Sequence, residues 1–348
     1  MKTVQAWGAP AANKPLEPMT IERREPGPND VVIEVLYAGI CHSDIHQARD
    51  EWGGSLFPMV PGHEIVGRVT RVGAKVTKLE VGQLAGVGCM VDSCRTCEAC
   101  RDHVEQYCEK GNAATYNGTL MDRKTRTYGG YSTEIVVDEA FTLRIPPGLD
   151  PAGAAPLLCA GITTWSPLKQ YGCKPGSRVA VVGLGGLGHM AVKLAVSLGA
   201  DVTVFSTSTS KEADAKRLGA KDFVVTKGDA LSKLGRRFDL IIDTVSAQHD
   251  YNAALSTLKT RGTMILVGAP PATPLHPFSL IVGGTKLVGS MIGGIQETQE
   301  MLDHCAKHGI VSDIEIIPMQ QVNEAYERVL KSDVRYRFVI DLASLKGN

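Results

Sequence analysis

The stretch YAGICHSDIH, Tyr37 to His46, sets a thiol, two imidazoles, a hydroxyl and a carboxylate within the six residues from Cys41 to His46. Thiolate and neutral imidazole are ligands for Zn²⁺, and an imidazole titrates near neutrality, where proton transfer is useful. Cys41, Ser43, Asp44 and His46 therefore pose one question, namely what chemistry needs them together. Two further residues complete a candidate metal set across the chain: His63 in VPGHEIVG and Cys159 in PLLCAGITT. A Cys2His set leaves one zinc position open for a reacting oxygen. Spacing alone does not bring the three together, and each also fits an ordinary buried position.

A second set is local. CRTCEACRDHVEQYC supplies Cys94, Cys97, Cys100 and Cys108 in a C-x2-C-x2-C-x7-C spacing, within a lobe of about residues 89–110. Four thiolates form a closed tetrahedral zinc site with no position for substrate. The competing iron–sulfur reading lacks the C-x3-C-P ending of a bacterial ferredoxin run. A structural zinc is expected, tying down a lobe with little core of its own.

The elements that must position these residues can be read from composition and pattern. At 348 residues the chain is long enough for roughly two domains, and 43% hydrophobic residues suffice for sizeable cores. Basic and acidic residues balance at 37 each, which removes the broad charge footprint of a nucleic-acid or anionic-membrane binder. The N-terminus has no signal-like apolar run, so a cytoplasmic protein is expected, with clustered cysteines pointing to metal rather than disulfides. Cys173 and Cys305 read as buried thiols.

DVVIEVLYAG, IVGRVTRVG, LAGVGCMV and YSTEIVVDE read as strands, and the alternation in VVIEVLY as a half-buried one. IPPGLDPAGAA makes a break near Pro147 to Asp150. From Arg178 strands and helices alternate: RVAVVG, a helix GHMAVKLAVSLGA ending at Gly199, then DVTVF, DFVVT, FDLIIDTV and GTMILVG. The helix is expected to bury Leu187, Ala191, Leu194, Ala195 and Leu198. Such alternation means an α/β domain with a doubly wound parallel sheet. The C-terminal VNEAYERVLKSDVRYRFVIDL reads as an amphipathic helix and a strand.

GLGGLG, Gly183 to Gly188, fits G-x-G-x-x-G between a predicted strand and helix, the context a dinucleotide site requires. Gly183 permits the turn, Gly185 lets backbone approach pyrophosphate, Gly188 lets helix and strand pack closely, and Leu184, Gly186 and Leu187 complete the loop. An NAD site would carry Asp or Glu about 20 residues on. Here VFSTSTSK offers Ser206, Thr207, Ser208 and Lys211, hydroxyls and an ammonium suited to a 2′-phosphate. NADP(H) is the expected cofactor; the same residues also fit a Ser/Thr helix cap with a solvated lysine.

Taken together, GICHSDIH, PMVPGHEIVG, the four-cysteine lobe, LLCAGITTWSPL and VGLGGLGHMAVKLA resemble the zinc-dependent medium-chain alcohol dehydrogenases over essentially the whole chain. The nearest likeness is to the cinnamyl-alcohol-dehydrogenase group with its bacterial NADPH-dependent aldehyde reductases. Alcohol dehydrogenase is itself the standard example of a Cys2His catalytic zinc. The resemblance implies a mainly β GroES-like catalytic domain from residues 1–152 and 291–348, with a Rossmann domain, 153–290, inserted. It implies two zinc ions per chain. Cys41, His63 and Cys159 would hold the catalytic zinc, Glu64 would be an alternate ligand, and Asp44 would orient the histidine. Ser43, the cofactor ribose and His46 would then relay a proton to the developing alkoxide. His42 stands where many relatives carry a basic residue near pyrophosphate.

Thr163, Thr244, Gly268, Ser290, Met291 and Ile292 match cofactor-lining positions. Trp52, Cys89, Met291 and Ile292 are candidates for an apolar substrate pocket, and each fits a core position equally well. The expected activity is interconversion of primary alcohols and aldehydes, with aromatic and medium aliphatic aldehydes favoured. The expected partners are such small molecules and a second copy of the chain. An NAD-linked polyol or secondary-alcohol dehydrogenase is the rival enzyme, disfavoured by residues 206–211. A zinc-free quinone reductase is disfavoured by Cys41 and Cys159. A zinc-ribbon binding module is disfavoured by the charge balance and the second metal set.

Overall fold

The computed structural model describes residues 1–345, and the chain divides into two compact units. One contains Met1–Cys159 and the segment from Gly293 onward; the other is Ala160–Ile292.

The strand Asp30–Gly39 organises the first unit, pairing antiparallel with Ile65–Val72, Glu134–Asp138 and Arg337–Asp341 in a seven-stranded sheet. Its alternating sequence predicts one wet face. Instead Val31, Val32, Ile33 and Val35 are all buried, because a central strand here is covered on both faces. Ala38 lies opposite Ile65, so the chain just after one strand and just before the next meet at one edge. The first exit leads through Cys41 into the helix His42–Ala48; the second entrance carries His63 and Glu64. The segment LAGVGCMV does not form one strand. Leu84–Val87 stays in the sheet and Met90–Asp92 pairs with Ala113–Ala114, since at Gly88 the backbone passes Leu158 closely enough that a Cβ would sit 3.0 Å from its carbonyl oxygen.

The segment following the proline-rich break packs with this unit. Pro151–Ala154 and Ala155–Leu158 contact the strands Asp30–Gly39 and Ile65–Val72. Residues 153–159 thus belong to the first unit, although the sequence reads the break itself as the domain edge.

The second unit is a six-stranded parallel sheet. Numbered by its own chain order the strands run 3-2-1-4-5-6, with Arg178–Val182 central and Lys286–Gly289 at one edge. This is the Rossmann order. Phe205 and Phe238 meet edge to face at 5.4 Å in the core beside it, a contact contributing about 1 kcal/mol beyond area burial. The helix Gly186–Ser197 buries Ala191, Leu194 and Ala195 as the spacing predicts. Leu187 and Leu198 are only half-buried, and His189, Met190 and Val192 are buried instead. The cause is the helix Ala160–Gln170, which packs on a second side and widens the buried stripe. Gly199 ends the helix at φ +81°, a conformation that favours glycine.

Candidate active site

Four ligand atoms converge in the first unit: those of Cys41, His63, Glu64 and Cys159 lie within 4.8 Å of one another. Cys41 Sγ is 4.0 Å from Cys159 Sγ, and His63 Nε2 is 3.3 Å from the same sulfur. Zinc bonds of about 2.0–2.3 Å imply tetrahedral edges of roughly 3.4–3.8 Å, so the three donors are spaced for one ion. The tautomer is arranged as well. His63 Nδ1 faces Asp44 Oδ1 at 3.2 Å, leaving Nε2 for metal. Glu64 is buried, pairs through Oε1 with the Arg337 guanidinium, and has Oε2 without a hydrogen-bond partner. Its side chain fits because residue 39 is glycine; a Cβ there would overlap Glu64 Oε2 at 1.9 Å.

The electrostatics suit a cation. Hydrogen bonding with Cys159, then with His63, holds the Cys41 thiol well below its usual range against the opposing effect of burial. Hydrogen bonds with Cys41 and Cys89, with burial, push Cys159 up. Burial opposes protonation of His63, yet the charges of Asp44 and Cys89 carry it well above the ordinary imidazole range. Burial raises Glu64 to about 7 even beside Arg337. Sulfur, imidazole and an orphaned carboxylate oxygen around one point are a donor set for zinc, and this site fits the ion.

The four-cysteine lobe fits zinc too. Cys94, Cys97, Cys100 and Cys108 have their sulfurs within 4.8 Å, with Cys94 to Cys100 at 3.9 Å and Cys97 to Cys108 at 4.0 Å. Backbone donors at Thr96 and Cys97 bring Cys94 down to about 6, whereas burial pushes Cys100 up to about 12.

Ser43 Oγ lies 3.7 Å from Cys41 Sγ. His46, one turn along the same helix, stacks on Trp52 at 4.9 Å and meets Glu51 Oε2 through Nδ1 at 2.5 Å. His42 is exposed, Trp52 is 57% exposed, and Cys89 is half-buried with Sγ 3.8 Å from the Leu158 carbonyl.

In the second unit, Gly183, Ser206, Thr244, Gly268 and Ser290 all lie at the carboxyl ends of the parallel strands, where an open α/β sheet binds ligands. Gly183 has φ +86°, and a Cβ at Gly188 would stand 2.1 Å from the Gly183 carbonyl oxygen. At Gly185 a Cβ would meet nothing, and the helix beginning there has no side-chain cap; its first N–H groups suit an anion in the space a side chain would fill. Lys211 Nζ donates to the Leu184 carbonyl at 2.9 Å, fastening Ser206–Lys211 to the glycine loop. Ser208 caps Ser210 N at 3.2 Å, Ser206 Oγ bonds Ser208 backbone, and Thr207 is exposed. The capping arrangement is thus present, and no carboxylate occurs from Ser206 to Lys211. Thr244 Oγ1 donates to Val182 O at 2.8 Å, Thr163 is buried in the helix Ala160–Gln170, Met291 is 48% exposed, and Ile292 takes φ +40°.

Arg337 and Glu51 are the residues that sequence reasoning misses. Arg337 is 273 positions from its partner Glu64, and no local signal marks it. Glu51 is only five residues beyond His46, where an i,i+5 acid could have been noticed.

Residues 27–147 match the alcohol dehydrogenase GroES-like domain family and residues 186–307 the zinc-binding dehydrogenase family. The chain is 54% identical to aldehyde reductase YahK of Escherichia coli, over 98% of this chain and 99% of that protein. It is 55% identical to NADP-dependent alcohol dehydrogenase C 1 of Mycolicibacterium smegmatis, over 100% of both. Among solved structures, a cinnamyl alcohol dehydrogenase (CAD) of Helicobacter pylori complexed with NADP(H) superposes with a TM-score of 0.92 at 41% identity, covering 98% of each chain. Identity of this order over the full length, on a chain that independently assembles both metal-donor sets, means that the protein belongs to the zinc-binding alcohol dehydrogenase family.

Proposed function

We propose that this protein is an NADP(H)-dependent alcohol dehydrogenase and aldehyde reductase acting on aromatic and medium aliphatic aldehydes. The observation that carries the reading is the convergence of Cys41, His63 and Cys159 on one point beside the unpartnered oxygen of Glu64. When bound there, zinc would supply Lewis-acid polarisation of a carbonyl oxygen, and reduced nicotinamide would supply the hydride. The chain's own part is to hold and to move a proton. Cys41, His63 and Cys159 would hold the metal, Asp44 fixes the His63 ring, and Arg337 restrains Glu64 beside them. Ser43, with Oγ 3.7 Å from the Cys41 sulfur, is placed to exchange a proton at the metal site, and His46 passes charge to or from Glu51, whose half-exposed carboxylate reaches water.

The glycine loop holds pyrophosphate at the helix N-terminus, and Ser206, Thr207, Ser208 and Lys211 receive the 2′-phosphate. The relatives named for NADP support that assignment. Within the GroES-like unit, Trp52 and Cys89 would give a bound substrate apolar contacts. The two units divide the work, the GroES-like one carrying metal and proton transfer and the Rossmann one the cofactor. A homodimer through the cofactor unit is supported by Phe278, Ile281 and Val282, exposed by 62%, 66% and 68% and close in sequence to the edge strand Lys286–Gly289. A cytoplasmic setting is supported by nine cysteines without a disulfide, six of them in the proposed zinc sets.

The test is a metal count on the purified protein together with a panel of aldehydes and alcohols assayed with NADPH and NADH side by side. Two zincs per chain and preference for NADPH are expected, with Ser206→Asp shifting that preference at least tenfold towards NADH, the cost of about 1.4 kcal/mol of phosphate recognition. A single zinc, or a cofactor ratio unmoved by Ser206→Asp, would overturn the corresponding part.

A further inference from the structure

Asp44 is wholly buried, and each of its carboxylate oxygens serves two donors. Oδ1 accepts from Gly62 N at 3.1 Å and faces His63 Nδ1 at 3.2 Å. Oδ2 accepts from Cys41 N at 2.8 Å and from the phenol of Tyr131 at 3.4 Å. One carboxylate therefore joins the backbone of one metal ligand, the ring of another and a residue far from both in sequence. Tyr131 itself is held without slack. Gly129, Gly130 and Tyr131 donate backbone N–H bonds of 2.8, 2.9 and 3.0 Å to Val60, Gly62 and Pro61, and Trp7 N bonds the Tyr131 carbonyl at 2.8 Å. Its ring lies so close over Gly62 that a Cβ there would approach it to 2.7 Å. The phenol has no exposure to water, so its hydroxyl is oriented by protein alone.

We infer that Tyr131 is a positioning residue for the metal centre: its hydroxyl fixes the rotation of the Asp44 carboxylate, and through it the aim of the His63 imidazole at the ion. The physical basis is that a carboxylate with two donors on each oxygen has one orientation. Loss of the Tyr131 donor removes one of the bonds that hold Oδ2, leaving the carboxylate freer to tilt and carry the His63 ring with it. The inference rests on the reading of Cys41, His63 and Cys159 as zinc ligands. The four-cysteine lobe makes no use of Asp44 and provides an internal reference in the same molecule.

The experiment is Tyr131→Phe, which keeps the ring, examined as the holoenzyme by following zinc release to a chromophoric chelator. The parent should release two zincs per chain in separable phases. In the variant, zinc from the Cys41–His63–Cys159 site should leave about tenfold faster, in line with the effect of outer partners on metal affinity, with the lobe zinc leaving at the parent rate. Cobalt substituted at the first site should show a shifted d–d band while lobe cobalt keeps its spectrum. Unchanged release and spectra in Tyr131→Phe would overturn the role of Tyr131 while leaving the zinc assignment standing. Equal acceleration of both phases with a lowered Tm would also overturn it, since that marks a structural contribution only. A parent with no more than the lobe zinc would remove the assignment and the inference together.

Discussion

Two sulfur-rich clusters stand in the same unit, and the chain builds them in opposite ways. Cys94, Cys97, Cys100 and Cys108 come from one continuous run, each turn delivering the next thiol to the same point. Cys41, His63, Glu64 and Cys159 come from three separate segments, with 118 positions between the two sulfurs, and they meet because the sheet brings two strand ends together. The first set is all sulfur and closed. The second mixes sulfur with imidazole, pairs a carboxylate with Arg337, and has a hydroxyl and a histidine–glutamate pair alongside. A site that serves stability can be local, because it needs only to saturate an ion. A site that serves chemistry needs a vacant position and groups of different pKa around it, which one run of chain rarely supplies.

The largest effect expected from breaking this contrast is at Cys159. Cys159→Ala should reduce bound zinc from two to one per chain and lower kcat/KM by roughly 10³-fold or more, the loss of several kcal/mol of Lewis-acid stabilisation. NADPH binding, followed by fluorescence, should persist. Retained turnover at one zinc per chain would end the division of roles between the clusters.

Next in size is Ser43→Ala, expected to lower kcat about 10²-fold with both zincs in place. Near-parent turnover would take Ser43 out of proton transfer and leave the open site defined by its metal alone.

Cys97→Ser tests the closed site. It should remove the lobe zinc and cost about 3 kcal/mol, a drop in Tm of roughly 6–12 °C for a domain of this size. Activity per folded molecule should hold. If instead the folded variant turned over as poorly as Cys159→Ala, the lobe would be part of the chemistry.

The smallest effect expected is for Glu51→Gln. Because water can replace an exposed end of a relay, kcat should fall only about threefold, with KM unchanged and the deficit recovered in concentrated imidazole buffer. A deficit insensitive to buffer would mean that Glu51 only braces His46.

Legibility in the sequence follows the same division. The four-cysteine lobe is readable from spacing because its geometry is local. So is the glycine loop, where Gly183 and Gly188 are required by a left-handed turn and by a helix pressed against a carbonyl. Five strands of the Rossmann unit stand where their apolar runs place them, whereas the short edge strand Lys286–Gly289 has no such run to mark it. Other features escape a one-dimensional reading. The strand Asp30–Gly39 reads as half-wet because alternation reports side-chain type and says nothing of what covers the second face. Leu187 and Leu198 yield burial to Met190 and Val192 because a neighbouring helix, invisible to periodicity, packs on another side.

Sequence alone determined the ligand chemistry available to this chain, the local four-cysteine lobe, the glycine loop and the absence of a carboxylate at residues 206–211. These depend on residues within one or two turns of each other, where spacing is geometry. Tertiary structure alone decided that Cys41, His63 and Cys159 share a point, that Arg337 anchors Glu64, and that Asp44 is shared by Cys41, His63 and Tyr131. Those contacts are made where strand register and close backbone approach at glycines 39 and 62 bring distant segments together, and no periodicity in a sequence encodes which distant segments those will be.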